Sequence, residues 1–111
     1  MKYDSKLEYH FKSAAEIWRI GCAAGALDAK SLEKFTAMAR SRFHTFALSI
    51  SHAQITGNGT KVAALVRGMA AELEQAPGLT EQWHASEFST DDFGLLVNAH
   101  IKHLLDHNDR H

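Results

Sequence analysis

Four of the chain's eight histidines, His100, His103, His107 and His111, crowd its C-terminal end. The first three are separated by three and four residues, a spacing that lines side chains along one face of an α-helix. Neighbouring imidazoles chelate zinc, nickel or copper, with zinc–nitrogen distances of about 2.0–2.1 Å. A structural zinc site takes four ligands, commonly with cysteine, so His100, His103 and His107 form a partial set for a second subunit to complete. A divalent metal held there is one expectation, and a solvated polar face with His100 partly covered is the plainer one. Several imidazoles close together also read as a pH-sensitive element, because each changes charge near neutrality.

Other residues offer less chemistry. Glu81-Gln82-Trp83-His84 is a single Glu-x-x-His, whereas a di-iron bundle needs that motif on two helices with further glutamates facing them. Cys22 lies on an apolar helical face, where a thiol stays neutral, with Arg19 the only cation at helical spacing. Ser49 and Ser51 flank His52 closely in sequence, but a triad is a three-dimensional arrangement with an orienting acid. Gly57-Asn58-Gly59-Thr60-Lys61 lacks the spacing of a phosphate loop and follows a helix, so it reads as a turn. No catalytic constellation emerges, and no organic cofactor is indicated. The sequence reading is that of a non-enzymatic protein.

Binding surfaces are the remaining class. Lys30, Lys34, Arg40 and Arg42, with Lys12 and Arg19 nearby, form a modest basic helix face. Such a face suits a protein partner or, as a third reading, nucleic-acid phosphates. Against the latter stand a net charge of −1 and the interspersed Glu16, Asp28 and Glu33. The charge is unevenly spread, at +3 over residues 1–60 and −4 over residues 61–111. Trp18 and Trp83 fit either a core or an interface, since aromatics anchor both. Trp83 is carried with the four cations as a candidate partner contact.

These residues need elements to position them, and the apolar periodicity supplies helices throughout. From about Ser5 to Ala26, Leu7, Phe11, Ala14, Trp18 and Cys22 recur every three or four residues, with Asp4 or Ser5 as cap and Gly25 as stop. The small residues Gly21-Cys22-Ala23-Ala24-Gly25 leave room for another backbone to approach. A second helix, capped by Asp28 or Ser31 and running to about Ile55, carries Leu32, Phe35, Ala39, Phe43, Phe46, Ile50 and Ala53. A third, capped by Thr60, presents Val62, Leu65, Val66, Met69 and Leu73 and closes at Pro77-Gly78. Leu79 to Ser89 reads as a short helix or ordered loop whose aromatics cover the core. The last helix is capped by Thr90, with Asp91 and Asp92 near the positive end of its dipole, and turns Phe93, Leu96, Val97, His100 or Ile101, and Leu104 inward.

The fold predicted is all-α: a compact antiparallel bundle of four to five helices, the first two long, in one domain over residues 1–111. Long helices in a small chain leave apolar surface, which predicts a homodimer. No apolar run reaches the roughly 20 residues of a membrane span, and the N-terminus MKYDSKLEYH lacks a signal-peptide core. A cytoplasmic location is the default. The function expected is a small helical interaction module, a regulator, adaptor or inhibitor acting by binding another protein. The alternative is a metal-binding or metal-responsive bundle using the C-terminal histidines.

Overall fold

A computed structural model describes residues 13–109, with side chains over residues 13–103. Five α-helices and one 3₁₀ turn follow in order: α1 (Ala14–Cys22), α2 (Ala29–Ile55), α3 (Gly59–Gln75), α4 (Pro77–Ala85), the 3₁₀ turn (Glu87–Thr90) and α5 (Asp92–Asp109). Among the described residues there is no strand, and the helices pack as an antiparallel bundle. The most extensive contacts join α3 to α5 and α2 to α3.

One expected element is corrected. The helix read from Ser5 does not run through Ser13, whose backbone is extended at φ −65° and ψ 157°. Its hydroxyl accepts from the Glu16 amide at 3.1 Å, so Ser13 is the cap of α1. Residues 5–12 of the expected helix lie outside the described residues. Of the two helices expected to be long, α2 is, at 27 residues, whereas α1 has nine. The inward face of α1 is also rotated from the one read: Ile17 and Gly21 are buried, Trp18 and Cys22 are half-buried, and Ala14 is exposed.

α2 matches its sequence signals closely. Asp28 caps it by accepting from the Ser31 amide at 2.7 Å, and Phe35, Ala39, Phe43, Phe46, Ile50 and Ala53 are all buried along one stripe. Leu32 departs from the stripe and is half exposed, while Ser31 beside it is buried. α3 is capped by Asn58, not Thr60, through the Lys61 amide at 3.0 Å. Pro77 occupies the first turn of α4, where its missing N–H and fixed φ suit a helix start. Thr90 does not cap α5: its hydroxyl donates to the Glu87 carbonyl at 3.0 Å. Asp91 instead turns the chain in extended geometry, and its carbonyl accepts the Leu95 amide at 2.9 Å.

Two helices end in the same hydrogen-bonded loop with different residues at its strained position. After α2, Gly57 takes φ +71°, with Gly57 N–H donating to Gln54 and Asn58 N–H donating to Ala53. After α1, Ala24 takes φ +59°, with Ala24 N–H donating to Gly21 and Gly25 N–H donating to Ile20. Both are Schellman endings, and a side chain at the left-handed position costs roughly 1 kcal/mol. Ala24→Gly is therefore expected to raise unfolding stability by about 0.5–1 kcal/mol, and Gly57→Ala to lower it by about 1 kcal/mol. Urea titration followed by circular dichroism measures both, and shifts of equal sign would contradict these endings.

A single core joins the helices, with Phe35, Phe43, Ile50, Leu73, Leu79, Trp83 and Val97 at its centre. Its polar insertions are mutually satisfied. Trp83 Nε1–H donates to Asn98 Oδ1 at 2.8 Å, and Asn98 Nδ2–H donates to the Ser89 carbonyl at 3.1 Å. Ser89 and Ser86 hydroxyls donate to the carbonyls of Ser86 and Trp83. This closed loop of bonds ties α4, the 3₁₀ turn and α5 into one unit, and no buried side-chain polar atom among the described residues lacks a partner.

Candidate functional site

The four cations of the second helix do not form one surface. Arg40 donates to Glu87 of the 3₁₀ turn at 2.7 Å, while Arg42 makes a bidentate pair with Glu72 of α3 at 2.9 and 2.6 Å. Residues two apart on a helix point in widely different directions, which sends these arginines to different neighbours. The Arg42 guanidinium is held above its ordinary range by the Glu72 hydrogen bond, and the Glu87 carboxyl is held below its own by Arg40. Lys30 and Lys34 are exposed near the start of α2. Trp83, the fifth candidate contact, is fully buried: its ring meets Phe43 edge-on at 5.1 Å and its N–H is bonded to Asn98. It is a core residue and, contrary to the expectation from the sequence, presents no surface to a partner.

The other chemistry-bearing residues also take definite places. Cys22 is half-buried between helices, and burial first, then the Glu72 carboxylate, pushes its thiol up. That environment opposes thiolate formation at neutral pH and disfavours a nucleophilic role. Glu81 and His84 lie exposed on α4, while Trp83 between them points into the core.

His100 and His103 are brought together on α5, with ring centroids 6.2 Å apart. Two imidazoles on one tetrahedral zinc sit at roughly 5 Å between centroids, so this pair is set slightly wider than chelating geometry. The His107 side chain lies outside the described residues. No group of three metal-ligating side chains occurs among those described.

Both histidines line a feature that the sequence does not announce. An open apolar groove of about 470 Å³ runs between α3 and α5, bounded by Val62, Ala63 and Val66 on one side and Leu96, Ala99, His100 and His103 on the other. Leu96, expected to point inward, is 51% exposed at its edge, and Leu95 beside it is 57% exposed. The reason lies in rotation about α5: Gly94, Val97 and Ile101 take the inward positions, and Leu96 falls to the flank. Gly94 permits this by letting α5 lie against the backbone of the 3₁₀ turn, since a Cβ there would overlap the Phe88 carbonyl oxygen.

Over the described residues, fold and site define a small helical bundle with an open apolar groove between two of its five helices. No protein-family model, curated protein or solved structure matches the chain. Among the described residues no helix is long and apolar enough to cross a membrane.

Proposed function

We propose that the chain is a non-enzymatic helical interaction module that binds another protein through the α3–α5 face. The observation that carries this reading is Leu96, half exposed at the edge of an apolar groove, with Leu95 exposed next to it on the outer side of α5. Full burial of a leucine side chain stabilises by about 1.5–3 kcal/mol, so two half-exposed leucines retain a substantial driving force for association. Single exposed apolar residues are ordinary, whereas Leu96 shares its groove with Val62, Ala63 and Ala99, which together form a patch.

The same face supports a second reading as a metal site, favoured by the pairing of the His100 and His103 rings. A nucleic-acid reading has less support, because Arg40 and Arg42 are each already engaged with a carboxylate.

The test compares proteins retained by the immobilised full chain with those retained by a Leu95→Asp/Leu96→Asp variant whose circular dichroism is unchanged. Loss of retained proteins supports the interaction face, and an identical retained set refutes it. Native mass spectra with one equivalent of zinc, on wild type and on His100→Ala/His103→Ala, address the metal reading: zinc retained equally by both overturns it.

A further inference from the structure

We infer that the partner for this face is a second copy of the chain, with α5 packed antiparallel against the α5 of the other copy. The inference rests on reading the α3–α5 surface as an interaction face and names what occupies it. Asp92, Leu95, Leu96, Ala99, Lys102 and His103 are all exposed on α5. At 100° per residue these six fall within one sector of the helix. Over residues 92–103 of that sector the order is acid at the N-terminal end, apolar in the middle and cation towards the C-terminal end.

That order is self-complementary in one orientation. Two parallel copies would set Asp92 against Asp92 and Lys102 against Lys102. Two antiparallel copies related by a two-fold axis near the middle of this sector bring Asp92 of each beside Lys102 of the other. A two-fold makes every such contact twice. The helix dipoles then also oppose, which favours the antiparallel arrangement. Between the charged ends, small Ala99 allows close approach, and the leucines of each copy meet the groove flanked by Val62 and Ala63 of the other. The outer face of α2 also exposes apolar side chains, Leu48 and Ile55. The C-terminal half of that face, residues 43–55, carries no Asp, Glu, Lys or Arg, so it offers no comparable register.

Sedimentation equilibrium of the full chain over a concentration series tests the pairing through a charge-reversal cycle. Wild type is expected to be a dimer. Asp92→Lys alone and Lys102→Glu alone each set like charges together and raise the dimer dissociation constant by about tenfold or more. The double variant Asp92→Lys/Lys102→Glu restores opposite charges and returns the constant to within about threefold of wild type. All these positions are exposed, and circular dichroism confirms that each variant folds. A double variant as weak as either single one overturns the register. A wild-type dimer that a chelator dissociates assigns association to the imidazoles and overturns the charge pairing. A wild-type monomer that still retains other proteins through Leu95 and Leu96 overturns the self-pairing and leaves the interaction face standing. A dimer indifferent to Leu95→Asp/Leu96→Asp removes both.

Discussion

Trp83→Ala is expected to lower unfolding stability by about 3–5 kcal/mol, the usual range for removing a large aromatic from a core. The indole is fully buried, meets Phe43 edge-on at 5.1 Å and lies 6.3 Å from Phe46. Alanine would leave a cavity among three helices and would deprive Asn98 Oδ1 of its donor at 2.8 Å. A domain of this size has about 5–15 kcal/mol of stability in all, so the variant sits near the edge of folding. Trp83→Phe separates the two contributions. It keeps a ring against Phe43 and Phe46 and removes the N–H, and a loss of about 1–2 kcal/mol is expected for the unpaired amide oxygen. Urea unfolding followed by far-ultraviolet circular dichroism measures both without relying on tryptophan fluorescence. An alanine variant that loses under about 1 kcal/mol would show that Trp83 is not the core anchor described.

The same residue shows where sequence reasoning stopped. α2 was legible because its information is local: seven apolar positions at helical spacing, an aspartate where a cap belongs, and Gly57-Asn58-Gly59 where the chain turns. The segment around Trp83 is too short to show a period, and its burial depends on α2 and α5 converging on it from distant parts of the chain. Ser13 was hidden for the opposite reason. The apolar rhythm from Leu7 and Phe11 continues through Ala14 to Trp18, and a hydroxyl capping the Glu16 amide leaves no trace in that rhythm.

At the candidate site, the spacing of His100 and His103 gave their common face directly. The groove they line needs Val62 and Ala63 from another helix, a partnership that no local pattern encodes. Composition alone groups Arg40 and Arg42 into one basic face. Their separation by two residues already places them on different sides of a helix, and Glu87 and Glu72 receive them there.

The small residues at the end of α1 leave room for another backbone, and α4 takes that room. A Cβ built on Gly78 would overlap the Gly21 carbonyl oxygen and would stand 2.9 Å from the Gly21 carbonyl carbon and 3.0 Å from the Ala24 nitrogen. These are main-chain atoms, held by the hydrogen bonds that end α1, so they have no rotamer to turn into. Gly78→Ala is therefore expected to push α1 and α4 apart and lower stability by about 2–3 kcal/mol, at the upper end of overpacking effects.

Two other glycines make the same substitution informative. At Gly21 the added carbon would overlap the Phe35 ring, which is itself buried in the core, so a loss comparable to that at Gly78 is expected. At Gly68, exposed in the middle of α3, nothing lies within 4 Å, and alanine should stabilise by about 0.5–1 kcal/mol through helix propensity. Cys22 then reports on the mechanism as well as the energy. Its half-buried thiol sits on α1, so displacement of α1 in Gly78→Ala should speed its alkylation relative to wild type at the same pH, whereas Gly68→Ala should not. Equal alkylation rates in Gly78→Ala and wild type, together with unchanged stability, would mean that α1 and α4 do not meet backbone to backbone.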